Sequence, residues 1–162
     1  MCAAFAVLLF LFLAPFARAE APAVTDADLP RVPPTAPSQA AATCAVHPGF
    51  HLELMAAEPQ VESPVAVAFD ENGRLYVAEM RDYPERAGQK LGRVKLLEDT
   101  KGDGHFDRVT VFADELNWPT GLVCWDGGVF VLTASDLLYF KDTSGSGQAD
   151  VHAIIFRGFG NL

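Results

Sequence analysis

The chain has 162 residues, 50% of them apolar, with 12 Lys and Arg against 21 Asp and Glu for a formal charge of −9. That length is room for one domain of ordinary size, and an acidic chain without a basic cluster carries no electrostatic footprint for a phosphate backbone, so DNA and RNA are excluded as partners. Cys2, Cys44 and Cys124 form no CxxC pair, the four histidines form no HExxH, and no GxSxG is present; zinc ribbons, thioredoxin-type sites, covalent haem attachment and the standard serine-hydrolase signature are excluded with them.

Residues 1–19 read as an address. Ala3 to Phe16 are almost wholly apolar and Ala17-Arg18-Ala19 supplies the small-x-small pattern of a signal peptidase site, although no Lys or Arg precedes the apolar run. The expectation is cleavage at about Ala19 and an extracytoplasmic product, periplasmic or secreted. The apolar run falls short of the roughly 20 residues a spanning helix needs, so no stable membrane span is expected. Residues 20–46 hold Pro22, Pro30, Pro33, Pro34 and Pro37, many alanines and no aromatic residue, a composition that reads as a semi-stiff linker. Cys44 and Cys124 are candidates for a disulfide in an oxidising compartment, with a buried Cys124 thiol as the alternative.

From His47 onward the pattern is one of short strands. Pro64–Phe69 is closed by Asp70-Glu71-Asn72-Gly73, whose Asn-Gly pair favours a hairpin. Arg74–Glu79, Gly92–Leu97 and Arg108–Phe112 follow, and four successive strands make an antiparallel meander. The order then recurs over Pro119–Trp125, Val129–Leu132, Leu137–Phe140 and Val151–Phe156. Its marker is Asp99-Thr100-x-Gly102-x-Gly104-x-x-Asp107, which returns as Asp142-Thr143-x-Gly145-x-Gly147-x-x-Asp150, each position displaced by 43 residues. A period in the low forties over four strands is that of a β-propeller blade. The sequence therefore predicts an all-β fold, an incomplete propeller over residues 47–162. A six-bladed ring needs roughly 250 residues, so this length corresponds to about two and a half four-stranded blades, ending in mid-blade.

The first unit is longer than the second by the stretch Met80–Leu91, between its second and third strands. Charged and aromatic groups on an inserted loop over a rigid scaffold suit a binding site, and equally a solvated loop packed through Tyr83-Pro84. Asn117 and Trp118, just before the second unit, either face a central channel or pack between blades. Asp99, Asp103 and Asp107 sit at the first, fifth and ninth places of an EF-hand-like loop, with Asp142 and Asp150 in the repeat. Calcium is one reading of these loops. Lys101 and Thr110 stand where further ligands belong, and Asx-turns explain the same residues without metal.

The stretches Pro48-Gly49-Phe50, Ala56-Ala57-Glu58-Pro59, Ser63–Asp70 and Gly73–Pro84, with Trp118-Pro119-Thr120-Gly121 and the Asp-Thr-x-Gly-x-Gly loops, resemble the membrane-bound dehydrogenases described from planctomycetes and verrucomicrobia, large haem-binding CxxCH proteins. The Glu79-Met80-Arg81-Asp82-Tyr83-Pro84 stretch is the most specific part. The resemblance implies a propeller similar to soluble quinoprotein glucose and sorbosone dehydrogenases, oxidising a sugar or alcohol through pyrroloquinoline quinone and passing electrons to a C-terminal cytochrome c segment. It also implies that most cofactor contacts and the catalytic histidine follow this region, so no cofactor is expected in these residues alone. Glu79, Arg81, Asp82, Tyr83, Asn117 and Trp118 are the candidate substrate or cofactor residues. A carbohydrate- or protein-binding propeller without redox activity, and an inactive gene fragment, are the competing readings.

Overall fold

The computed structural model describes residues 24–25, 28–29, 32–86 and 88–160; the leader expected over 1–19 lies outside them. The chain divides into two units, Met1–Thr35 and Ala36–Leu162. Among the described residues of the first, the Asp28 carboxylate accepts from the Thr25 amide and hydroxyl at 2.8 and 2.7 Å. The second opens with one helical turn, α1 (Pro37–Ala40), continued as 3₁₀ helix over Ala41–Thr43. These turns lie within the stretch read from composition as linker.

Eight strands follow: β1 (Pro64–Phe69), β2 (Leu75–Glu79), β3 (Gly92–Glu98), β4 (Arg108–Leu116), β5 (Gly121–Trp125), β6 (Gly128–Leu132), β7 (Asp136–Lys141) and β8 (Val151–Arg157). They form two antiparallel four-stranded meanders, β1-β2-β3-β4 and β5-β6-β7-β8. The fold is all-β, two blades of an incomplete propeller. The residues beyond two blades on the N-terminal side, 47–63, form no strand. Part of this segment instead covers the first sheet, where Val61 joins Leu75, Val77, Leu97 and Phe106 in a small apolar cluster.

The main core lies between the sheets. Tyr76, Val94, Leu96, Phe112, Ala113 and Leu116 of the first sheet meet Val129, Val131 and Phe140 of the second, with Tyr76 edge-on to Phe112 at 4.9 Å. Because β2 has the second sheet on one face and the Val61 cluster on the other, all five of its residues are buried, which is why its sequence runs apolar without alternation. Burial pushes the Tyr76 hydroxyl up to about 12. Cys124 faces the same core beside Leu122, and burial pushes its thiol up to about 11. Cys44 is exposed, Cys124 is half-buried where the alternative had it buried, and both thiols are free, with no disulfide joining the pair.

Candidate functional site

In a meander, alternate connections emerge at opposite ends of the sheet. The β1–β2 turn and the β3–β4 loop therefore share one end with their counterparts in the second sheet. The long β2–β3 connection, residues 80–91, shares the other end with the β4–β5 connection, residues 117–120, and the short β6–β7 turn, residues 133–135. The inserted stretch thus falls between the second and third strands of the first blade, as the sequence predicts, and it lies at the same end as Asn117 and Trp118.

These connections are locked together. A Cβ on Gly92 would come within 2.4 Å of Pro119 Cδ and 2.6 Å of the Leu116 carbonyl, so only glycine lets the end of the inserted loop pass this close to the β4–β5 turn. Trp118 takes a left-handed conformation with φ of 48°, and its indole meets the Tyr83 ring edge-on at 5.3 Å. The Asn117 carbonyl accepts from the Ala134 amide at 3.3 Å, tying the β4–β5 turn to the β6–β7 turn. Asp82 is 1% exposed. Its Oδ2 accepts from the Leu91 amide at 3.1 Å, closing the loop on itself, and its backbone carbonyl accepts from the Arg86 amide at 3.0 Å.

Two polar atoms at this end are left over. Asp82 Oδ1 and Trp118 Nε1 are both buried and neither has a hydrogen-bond partner among the described residues. A buried acceptor or donor without a partner costs about 1–3 kcal/mol, and such an orphan in a folded protein calls for an explanation. Tyr83, which joins them, is 61% exposed. The connections braced by Gly92 thus carry an unpartnered acceptor on Asp82, an unpartnered donor on Trp118 and, against that indole, the exposed Tyr83 ring.

Glu79 and Arg81 belong to a different cluster. Glu79 is fully buried at the end of β2; it accepts from the Glu62 amide at 2.7 Å and from Arg93 Nε, and lies 3.5 Å from Lys95 Nζ. Lys95 also donates to the Gln60 carbonyl at 2.5 Å. Arg81 Nε pairs with Glu62 at 2.8 Å, and Arg93 reaches the same carboxylate at 3.5 Å. This network fastens the segment 59–62 to the outward face of the first sheet. Glu62, Arg93 and Lys95 were not among the residues singled out from sequence; the available signal was the charge at alternate positions 93 and 95 of a strand otherwise apolar at 94, 96 and 97.

The aspartate loops lie at the opposite end and repeat each other in detail. Asp99 accepts backbone N–H bonds from Lys101, Gly102 and Asp103 on Oδ1 and from Gly104 on Oδ2. The Gly104 amide foremost holds its carboxyl below the usual range. Asp142 receives the Ser144, Gly145 and Gly147 amides in the same way. Thr100 caps onto Asp107, and Thr143 onto Asp150. Asp103 Oδ1 accepts from the His105 amide at 3.0 Å. Asp99 and Asp142 thus accept backbone amides on both carboxylate oxygens, and among the described residues no group of three or more His, Cys, Asp or Glu side chains is placed to hold a metal.

Among the described residues no helix is long and apolar enough to cross a membrane. No curated protein matches the chain. Two solved structures of a Trichoderma reesei carbohydrate-active enzyme of family AA12, an iodide and a calcium form, resemble it with a TM-score of 0.44 and 21% identity over 61% of this chain. The aligned region spans 24% of those chains. The model of the family DUF7133, a domain of unknown function, matches residues 36–162, the same span as the second unit. The chain belongs to the DUF7133 family.

Proposed function

We propose that the chain supplies two blades of an exported, quinoprotein-like oxidoreductase propeller, and that the connections at the Asp82–Trp118 end form the surface where a sugar or alcohol is received. The observation that carries this reading is the pair of orphans, Asp82 Oδ1 and Trp118 Nε1, beside the exposed Tyr83 ring. A hydroxyl both donates and accepts, so a polyhydroxylated ligand offers what each orphan needs, and its C–H faces suit an aromatic ring. The resemblance of the Glu79–Pro84 stretch to sugar- and alcohol-oxidising propellers supports the same class of ligand.

The quinone is a different matter. Pyrroloquinoline quinone is a tricarboxylate and calls for unpaired cations. Here Arg81, Arg93 and Lys95 are matched by Glu62 and Glu79, and the carboxylate of Asp82 would repel it. These three paired cations and the Asp82 carboxylate do not fit the cofactor, so no redox step is routed through them. The same arrangement favours a second reading, a binding propeller without chemistry. The native gene product from its source, supplied with pyrroloquinoline quinone, calcium and an artificial electron acceptor, separates the two. The oxidoreductase reading predicts dye reduction that requires both quinone and sugar. Sugar binding without quinone-dependent turnover would leave the binding module.

A further inference from the structure

The stretch that leads into the first sheet retraces, 55 residues earlier, the end of β4 that leads into the second. Ser63-Pro64 stands where Trp118-Pro119 stands, and the residue before each proline is left-handed, with φ of 46° and 48°. Two residues further back, Val61 and Leu116 are both buried, and their surroundings match. Leu116 lies in the core with Val129, Val131 and Phe140 of the second sheet, and Ala149 packs against the same core. Val61 lies with Leu75, Val77, Leu97 and Phe106. Through the strand registers and the 43-residue repeat, Leu75, Val77 and Leu97 are the first-sheet counterparts of Val129, Val131 and Phe140, and Phe106 is the counterpart of Ala149. Val61 therefore holds on the first sheet the place that Leu116, the last residue of a fourth strand, holds on the second.

Upstream of these residues the two stretches differ. β4 extends back from Leu116 to Arg108, paired with β3. The chain before Val61 turns through Ala57–Gln60, where the Gln60 amide donates to the Ala57 carbonyl at 2.8 Å. Behind that turn His51–Ala56 has no ladder: among the described residues none of its backbone groups is hydrogen-bonded to another backbone group. It nevertheless alternates as a strand with two unlike faces does, Leu52, Leu54 and Ala56 against His51, Glu53 and Met55. Ala56 packs against the Val61 cluster, while Leu52 and Leu54 are 50% and 51% exposed. A segment patterned as a strand, with its own N–H and C=O groups unpaired, offers an edge for another strand.

We propose that His51–Ala56 is the fourth strand of the blade that precedes the first sheet around the ring, and that it pairs with the third strand of the last blade, supplied by a later part of the same protein. This rests on the reading of the chain as two blades of a larger propeller. The pairing strand does not come from upstream, where the described residues among 32–50 form α1 and its 3₁₀ continuation and no strand. The segment is then the clasp that joins the first blade to the last. Val61, the Glu62 pairs with Arg81 and Arg93, and the Lys95 bond to the Gln60 carbonyl fix its C-terminal side to the first sheet. The ladder along 51–56 fixes its other side to the last blade, and a ring joined this way leaves no open edge at the seam.

Hydrogen exchange read by peptide-level mass spectrometry, on the native gene product and on the 162-residue chain, tests it. The amides of 51–56 are expected to exchange about a hundredfold more slowly in the native product, while β2 and β3 stay protected in both. Glu53→Pro and Leu54→Pro are made singly in the native product. Successive N–H groups of an edge strand point to opposite sides, so one of the two variants is expected to return 51–56 to fast exchange with β2 and β3 still protected. The wild-type comparison decides where a variant does not fold. Fast exchange over 51–56 in a native product longer than this chain, or protection that survives both variants, would overturn the clasp and leave the propeller reading standing. A native product no longer than this chain would overturn both. Protection that appears only as the product oligomerises would give the pairing strand to a second copy, and would overturn the proposal as well.

Discussion

Replacing Glu79 with Ala removes one acceptor from three donors: the Glu62 amide, Arg93 Nε and Lys95 Nζ. The side chains of Arg93 and Lys95 are only 17% and 8% exposed, so water replaces the lost carboxylate only in part. Breaking a buried pair from one side costs about 3–5 kcal/mol. Lys95 keeps the Gln60 carbonyl and Arg93 keeps Glu62, which places the expected cost at the lower end, about 3 kcal/mol. With a urea m-value of about 1–3 kcal/mol/M for a domain of this size, the midpoint should fall by about 1–3 M. Equilibrium urea unfolding at pH 7, followed by tryptophan fluorescence, reads this directly. Converting Arg93 and Lys95 to Met in the same chain should recover most of the loss, because an apolar cluster no longer leaves a charge stranded. A Glu79→Ala chain within about 1 kcal/mol of wild type would refute the reasoning and show that the cluster behaves as an exposed ion pair.

Three further outcomes follow from the geometry. Gly92→Ala should cost about 1–3 kcal/mol by overpacking against Pro119 and should shift Trp118 emission, since the β4–β5 turn must move away from the inserted loop; unchanged emission would show that the contact relaxes elsewhere. Asp107 is held down to about 2, first by the Thr100 amide and then by the Lys101 side chain, against an ordinary 3.8. A carboxylate lowered in the folded state adds stability that is present above the ordinary value and lost as pH falls through the folded one, so the melting temperature should drop between those two values, and Asp107→Asn should flatten that drop. Cys44, exposed, should react with iodoacetamide well before Cys124, whose thiol burial holds near 11; equal rates at pH 8 by mass spectrometry would contradict the inter-sheet placement of Cys124.

Much of this fold was legible because its strands are bounded by residues with strong local preferences. Pro64 and the Asp70–Gly73 turn bracket β1, and the strand occupies the expected residues. The displacement of the Asp-Thr-x-Gly-x-Gly marker then gave the second sheet. β4 runs four residues beyond its expected end, to Leu116, because register shifts against β3 between Gly92 and Lys95 let Ala113 and Leu116 reach the core; alternation alone cannot show a bulge. The disposition of the candidate residues was less visible. Glu79, Arg81, Asp82 and Tyr83 are consecutive enough to read as one motif, yet the strand end divides them, sending Glu79 and Arg81 to the ion cluster and Asp82 and Tyr83 to Trp118. Nothing in the local sequence says that Asp82 is buried, because the Leu91 amide that holds it comes from the far end of the loop. The aspartate loops were ambiguous for a related reason: the same oxygen-rich spacing serves a cation or its own backbone amides, and spacing alone does not show which amides the loop turns inward.

The ligand surface at Asp82 and Trp118 is the central claim, and calorimetric titration of glucose into the wild-type chain, beside Asp82→Asn and Trp118→Phe, tests it most directly. The account predicts saturable heat for wild type and at least a tenfold loss of affinity in each variant, with the melting temperatures of all three chains close together. Absence of saturable heat from a folded wild type, or unchanged affinity in both variants, would contradict it and leave the two orphaned atoms to be bridged by buried water.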